Sequence, residues 1–476
     1  MDDSMDKPTT VTTIHGNRYC LTRELGRGGQ GTVYAVEGDR FAVKIVHDRS
    51  DRARDRLRDQ LAMVSRLPLE DLAVARPIEQ LRPPHVGYVM ELFTGMVPLR
   101  DLLRPSSSTS VPKISPAHWY LATGGLRRRL RLLARLAELF AELHGRGLIF
   151  VDPSPHNVFV SADASQLEVR LIDMDNVRSS SAVGCTLYTP GYGAPEFVRE
   201  TGLANTLSDA HAFAVMAFET LTLVHPLIGD LVRDGEPELE ELAFAGKLAW
   251  IDHEHDATNR SSDGIPRAVV LSRTLLDNFR SAFEGGLDRP TDRPGLARWV
   301  EHLDRAADRT VSCPSCRGSY YYDRARCPWC GVARPAFVVA VALIWDPQRL
   351  RNAGSGTLEL EAGILREPDG KLRVVDAVAI SMHESVWLTE RVTGGTRSST
   401  PRLRVEVTGE RLRLEARASD ESWRLVSADA KQARAFADQP IELALRGGSS
   451  GWLVHTGPND RLHRVIRFDL RPEANP

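Results

Sequence analysis

The sequence predicts an α+β protein of several domains, and three observations carry that reading. A glycine-rich stretch, Gly26-Arg27-Gly28-Gly29-Gln30-Gly31, lies between two strand-like runs, and a leucine-rich helical segment later runs into a Pro-punctuated loop. Beyond residue 336 the patterning changes to short alternating strands, with two Cys-x-x-Cys pairs just before the change. At 476 residues the chain is too long for one ordinary domain. Its 61 basic and 63 acidic residues leave no field that selects nucleic acid or an acidic substrate. Met1 to Thr13 is polar, acidic at Asp2, Asp3 and Asp6, and lacks the apolar core of a signal peptide. The longest apolar run, Ala336 to Trp345, falls far short of the roughly 20 residues a membrane helix needs. Six cysteines, four of them paired by spacing, suit a reducing compartment, so the expectation is a cytoplasmic protein.

In chain order, residues 1–17 read as a flexible tail. The glycine loop then sits between strands instead of opening a helix, which argues against a dinucleotide-binding fold. After the turn Glu37-Gly38-Asp39, alternation in Phe41-Ala42-Val43-Lys44-Ile45 places Lys44 on the face opposite Phe41, Val43 and Ile45. Asp51 to Leu67 reads as a helix; Gln60 is followed on its face by Met63, Val64 and Leu67, a set that Asp55 and Asp59 lack. Val86 to Phe93 reads as a strand, and Pro105 to Ser110 as a flexible surface insertion. The helix Leu126 to His144 carries leucines at 130, 132, 133, 136, 139 and 143 and stops at Gly145 and Gly147. Its basic run Arg127-Arg128-Arg129 reads as a solvated face.

Leu148 to Val151 then forms a short strand leading to Asp152-Pro153-Ser154-Pro155-His156-Asn157, a loop with one carboxylate and one carboxamide. Alone these are turn formers. Their company changes the reading: Asp173 ends the apolar strand Val169 to Ile172 and precedes Met174-Asp175, Gly191-Tyr192-Gly193-Ala194-Pro195-Glu196 follows, Asp209 heads the apolar helix Ala210 to Leu223, and Arg293 sits in Thr291-Asp292-Arg293-Pro294.

In this order the motifs resemble those of the eukaryotic-type protein kinases, in their bacterial form, from about Tyr19 to Leu303. Phe41-Ala42-Val43-Lys44 matches the strand lysine motif, Phe150 to Asn157 the catalytic loop, Asp173-Met174-Asp175 the metal-binding triplet, and Gly193 to Glu196 the segment that closes the activation region. The resemblance implies a bilobal kinase fold with an N-lobe over 18–95 and a C-lobe over 96–306. It also implies ATP held by Gly26, Arg27, Gly28, Gly29, Gln30, Gly31, Val33, Ala42 and Lys44, with Met90 as gatekeeper and the backbone around Glu91 and Leu92 receiving adenine. Asp152 would orient and deprotonate the substrate hydroxyl, while Asn157 and Asp173 bind Mg2+. Gln60, with Asp55 as the alternative, stands where the lysine's acidic partner belongs; Asp209 would brace the catalytic loop, and Arg293 would pair with Glu196. Phosphoryl transfer concentrates negative charge, which is why a cation, hard oxygen ligands and exposed backbone amides are the groups required.

Several positions depart from the family. Met174-Asp175 replaces Phe-Gly, Ser154 replaces the usual Lys, and Gln60 replaces Glu. These favour a competing class, a pseudokinase scaffold that binds nucleotide without transfer. Val151 stands where phosphorylation-activated kinases keep an Arg, and the activation segment with Ser179, Ser180, Ser181, Thr186, Tyr188 and Thr189 is short. Valine cannot pair with a phosphate, so activity is expected not to require phosphorylation there.

Cys313, Cys316, Cys327 and Cys330 form two knuckles ten residues apart, the spacing of a tetrahedral structural zinc site, here a ribbon over 311–333 with Tyr320-Tyr321-Tyr322 on its hairpin. A redox pair would need only one knuckle, and no thioredoxin-like βαβ pattern surrounds it. Arg317, Arg324 and Arg326 keep open a third class, a nucleic-acid-binding regulator acting through the ribbon. From 336 to 476 the pattern suggests a β-sandwich-like interaction domain, clearest in the hairpin Leu403-Val405-Val407, Thr408-Gly409-Glu410, Leu412-Leu414-Ala416, with loop stretches at Gly354-Ser355-Gly356 and Gly447 to Gly451. Its order resembles forkhead-associated domains, but the Arg, Ser and Asn-Gly set that would read phosphothreonine is missing. The whole arrangement is similar to bacterial kinases with a C-terminal zinc ribbon that act beside a PP2C-type phosphatase and a von Willebrand A-domain protein. The expectation is an ATP-, Mg2+- and Zn2+-containing Ser/Thr kinase acting on a protein substrate.

Overall fold

The computed structural model describes residues 10–474 apart from 30, 104–114, 181–187, 346–372, 395–398, 418–422, 428–433, 437–438, 446–448 and 457–462. Gln30, the Pro105–Ser110 insertion, Ser181, Thr186, Gly354–Gly356 and Gly447–Gly448 therefore lie outside the described residues. The chain divides into two compact units, one of Met1–Gly124 with Arg131–Val300 and one of Gly125–Leu130 with Glu301–Pro476. The boundary expected at 306 thus falls inside the helix Leu296–Asp308. Among the described residues no helix is long and apolar enough to cross a membrane.

The first unit opens with a six-stranded antiparallel sheet of β1 (Thr10–Thr12), β2 (Arg18–Arg27), β3 (Gly31–Val36), β4 (Phe41–Val46), β5 (Pro77–Gln80) and β6 (Gly87–Glu91), ordered β1-β2-β3-β4-β6-β5. Thr10 to Thr12 corrects the expected tail over 1–17: they pair with Arg18 to Cys20, and Val11 is buried. Two-residue alternation divides β4 as its sequence requires. Val43 and Ile45 join Val11, Leu21, Tyr34, Val36, Leu81 and Val89 on one face, while Ala42 joins Tyr88 and Met90 on the other. Helix α1 (Asp51–Val64), capped by Ser50 on Ala53 N–H, buries Ala53, Leu57 and Val64.

Deeper in this unit the helix Thr206–Thr222 is buried along nearly its whole length and starts at a capping box of Asn205 and Ser208. Phe140 meets Phe150 and Phe213 edge-on, and Phe213 meets Trp299. Asp209 is fully buried in this setting, and such a carboxylate persists only if its oxygens are satisfied. It accepts from Phe150 N (2.8 Å), Val151 N (3.2 Å) and His144 Nε2 (3.0 Å). Those bonds hold Val151 at φ 76°, a left-handed conformation that a β-branched residue adopts only at a cost of about 1–3 kcal/mol. Arg293 clamps Glu196 through two bonds of 2.8 and 2.7 Å and also donates to Gly286 O and Leu207 O. Burial pushes the Glu196 carboxyl up, but the Arg293 bonds and charge outweigh it and hold the group below the usual range.

In the second unit Thr310–Ser312 pairs with Ser319–Tyr321, so Tyr320 and Tyr321 lie on a hairpin whose turn is the first cysteine knuckle. A six-stranded sheet runs in the order Arg373–Ser381, Phe337–Trp345, His463–Arg471, Ser449–Thr456, Trp423–Ser427, Arg434–Phe436, and a four-stranded one in the order Ser385–Thr389, Pro401–Thr408, Arg411–Ala416, Ile441–Ala444. Val338, Ala340 and Phe468 of the first share a core with Leu403, Val405, Leu412 and Leu414 of the second. The opposite face of Phe337–Trp345 packs against Val311, Cys313, Tyr320 and Cys327. Burial on both faces explains why this strand is a continuous apolar run rather than an alternating one.

The basic run at the head of the helix Gly125–Gly145 is a correction. Arg128 and Arg129 are buried, at 6% and 0% exposure, not solvated. Arg127 donates to Thr310 Oγ1 (2.7 Å), Thr310 O (2.8 Å) and Glu384 Oε2 (2.8 Å), and its own N–H bonds Ser319 Oγ. A run of three consecutive arginines reads as surface unless the partners, here nearly two hundred residues or more away, are known.

Candidate active site and cysteine cluster

The hairpin of β2 and β3 turns at Gly28-Gly29, with Gly28 N donating to Gly31 O at 2.9 Å. A side chain at Gly31 would bring its Cβ to 2.5 Å from Ile45 O, so the close approach of β3 and β4 admits only glycine, whereas Gly26, Gly28 and Gly29 face open space. Beneath the hairpin, Leu25, Val33, Ala42, Met90 and Leu92 belong to one apolar cluster. Of the two backbone positions expected to meet a base, Leu92 already spends its N–H on Arg40 O.

Lys44 is 7% exposed and lies over the Tyr88 ring; its ammonium bonds Asp173 Oδ1. Asp173 takes the left-handed conformation, φ 64°, that aspartate tolerates better than most residues, and heads the turn Met174–Asn176 packed beside α1. Asn176 Nδ2 donates to the other oxygen, Asp173 Oδ2, at 3.0 Å. Gln60 is half-buried on α1, while Asp55 is exposed and pairs with Arg58.

Asn157 is tied to both sides of this group. Its Nδ2 donates to Asp152 O (3.1 Å), and its carbonyl accepts from Ile172 N (3.0 Å), the residue before Asp173. Asp152 Oδ1 in turn accepts from both N–H and Oγ1 of Thr189, at 2.7 and 2.8 Å. Lys44 thus bonds the Asp173 carboxylate directly, while Asn157 links the Asp173 strand end to the Asp152 loop through the backbone groups Ile172 N and Asp152 O. Carboxylate and carboxamide oxygens suit a hard divalent ion, and a buried ammonium suits a polyphosphate. Ser154 is buried with no partner for its hydroxyl among the described residues. Burial first, and the neighbouring Arg100 second, hold His156 below the usual histidine range. Sequence reasoning missed Thr189 and Asn176 as partners of the two aspartates. The second was findable, since an Asn three residues after an Asp is placed to bond it in a tight turn; the first depends on a contact 37 residues apart.

In the second unit the sulfurs of Cys313, Cys316, Cys327 and Cys330 all lie within 4.8 Å of one another, with 3.5 Å from Cys313 to Cys330 and 3.6 Å from Cys316 to Cys327. Four sulfurs each about 2.3 Å from a tetrahedral zinc are separated by about 3.8 Å, so the cluster fits that ion. The two knuckles have the same geometry: Arg317 (φ 59°) and Gly331 (φ 79°) are left-handed, and their N–H groups bond Cys313 O and Cys327 O. Trp329 Nε1 reaches back to Ser319 O at 3.0 Å and ties the second knuckle to the hairpin of the first.

A model of the protein kinase domain matches residues 19–263. Among curated relatives, the chain is 31% identical over 313 residues to the serine/threonine-protein kinase pkn2 of Myxococcus xanthus, covering 58% of this chain and 34% of that one. It is 27% identical over 358 residues to the protein kinase YegI of Escherichia coli K12, covering 70% of this chain and 52% of that one. The probable serine/threonine-protein kinase PknB of Lactococcus lactis is 25% identical over 242 residues, which cover 46% of this chain and 34% of that protein. The matched regions therefore span between 34% and 52% of these relatives' own length. With the model covering more than half of its residues, the chain belongs to the protein kinase family.

Proposed function

We propose that the chain is an ATP- and Mg2+-dependent kinase that transfers the γ-phosphate to Ser or Thr hydroxyls of a partner protein. The observation that carries this reading is the bond of buried Lys44 to Asp173, with Asn157 tying Ile172, the residue before Asp173, to the backbone of Asp152. In it Lys44 would neutralise the nucleotide's phosphates, and Asp173 and Asn157 would hold a divalent ion whose charge, when bound, would offset that of the transferring group. Asp152 accepts the proton of the substrate hydroxyl at Oδ2, because Thr189 occupies Oδ1 and fixes the carboxylate's rotation. Glu196, Arg293 and Asp209 keep this arrangement rigid. The cysteines hold one structural zinc as a ribbon, and the paired sheets form a sandwich that, with the ribbon, binds partners or regulates transfer. A PP2C-type phosphatase and a von Willebrand A-domain protein are the partner candidates, in the cytoplasm.

The pseudokinase reading draws on specific residues, Met174-Asp175 and Ser154, and one experiment separates the two. Purified protein is incubated with labelled ATP and Mg2+, alone and with generic protein acceptors. Transfer to Ser or Thr is the expected result; nucleotide binding without transfer would replace the enzyme by the scaffold.

A further inference from the structure

The Asp173 carboxylate is held by Lys44 on one oxygen and Asn176 on the other. Its backbone is left-handed (φ 64°), and the residues after it are Met174 and Asp175, so no glycine follows to relieve the turn. The turn is pinned instead: Asn176 N donates to Asp173 O and Val177 N to Met174 O, each at 3.2 Å, and Met174 and Val177 are fully buried. Asn176 is itself only 5% exposed, and its side chain bonds Asp173 Oδ2 at 3.0 Å, while Lys44 takes Oδ1.

The amide orientation follows from chemistry. Turning the Asn176 oxygen toward Asp173 would set an acceptor against a carboxylate, so the NH2 group must face it. An aspartate at 176 would set two like charges together and raise the pKa of one of them. A neutral donor at this place does what a group orienting a ligand must do: it fixes the carboxylate plane without adding a like charge.

We infer that Asn176 is a positioning residue that aims the Asp173 carboxylate at the divalent ion accompanying the nucleotide. The inference rests on the reading of Asp173 as that ion's ligand. It assigns to Asn176 an effect on metal-dependent nucleotide affinity more than on nucleotide affinity as such.

The test uses the full chain and a fluorescent ATP analogue, titrated with and without Mg2+. Asn176→Leu keeps the γ-branching and the heavy-atom count and removes the donor. It is expected to leave metal-free binding within about twofold and to lower the affinity gained on adding Mg2+ about tenfold, the 1.4 kcal/mol of one decade. Asn176→Ala, which adds no branching, must show the same loss, so that a folding defect in the leucine variant does not decide the matter. In an Asp173→Asn background the Asn176→Leu change should have no further effect on the Mg2+ response. A purely structural role predicts lowered thermal stability with an unchanged Mg2+ response in both variants, and that result would overturn the inference. So would an equal loss from Asn176→Leu with or without Asp173. Transfer activity is read separately: a wild type that binds the analogue with Mg2+ but transfers nothing removes the proposed function, while the Mg2+ response still judges Asn176.

Discussion

The cysteine cluster and the Lys44–Asp173 group are both assembled from polar side chains, but by opposite means. The four sulfurs come from residues 313 to 330, and two identical knuckles present them through local backbone bonds. Lys44 and Asp173 stand 129 residues apart and meet only because β4 and the turn Met174–Asn176 are each fixed by their own packing. A locally encoded site leans on its ligand for stability, since so short a segment buries little apolar surface. A site assembled at long range leans on the core of its unit and should tolerate the loss of a ligand but not of a brace.

The largest effect expected from this difference is at the cysteines. Structural zinc contributes about 10–16 kcal/mol of apparent binding energy in finger peptides. Elemental analysis of protein purified without chelator should find one zinc per chain. Cys316→Ser should lose it and open the hairpin to hydrogen exchange while nucleotide binding persists; less than half an equivalent in wild type would remove the site.

At the long-range site, Asp152→Asn and Asp173→Asn should each lower phosphate transfer by about 10²–10⁴-fold with the thermal midpoint nearly unchanged, and Lys44→Met should weaken it strongly. Full activity in Asp173→Asn would withdraw the ligand assignment. The braces should behave in reverse. Arg293→Met strands a buried Glu196 and should cost about 3–5 kcal/mol in denaturant unfolding, and the double change with Glu196→Leu should recover much of it. Equal losses in the single and double variants would contradict the pairing argument.

A smaller effect comes with acid. His211 is fully buried beside Arg293 and His225, and burial first, then those charges, hold it well below the usual value. Folded His211 stays neutral while the unfolded residue takes up a proton below about pH 6.5, so stability is lost as pH falls, by up to about 1.4 kcal/mol per unit. Replacing His211 by Phe should therefore narrow the difference in unfolding free energy between pH 7 and pH 5; an unchanged difference would assign the acid sensitivity elsewhere. The smallest effect is expected in the activation segment. Because Val151 cannot bind a phosphate, joint replacement of Ser179, Ser180 and Ser181 by alanine, or phosphatase treatment of wild type, should change transfer by less than about tenfold. A larger loss would show that phosphorylation there does control activity.

Much of this was legible in the sequence because it is written in short periods. Alternation in Phe41 to Ile45 and in Leu403 to Ala416 reports which face is buried, and Cys-x-x-Cys reports a knuckle, since each spacing follows from backbone geometry within a few residues. Lys44, Asp152, Asn157 and Asp173 stand out in the sequence through the order of motifs that resembles the kinase family, and Lys44 meets Asp173 while Asn157 ties Ile172 to the Asp152 backbone. What the tertiary structure alone decided concerns polar groups whose partners are distant. Arg128 and Arg129 look solvated by composition and are buried; Thr10 to Thr12 look like tail and form an edge strand. Thr189 finds Asp152 across 37 residues, and Asn176, close in sequence, matters only because Asp173 is held in a left-handed turn. Apolar burial follows from a residue's own chemistry and the local period, so one chain segment reveals it. A buried charge is tolerable only with a partner, and which partner arrives is settled by how separate segments pack.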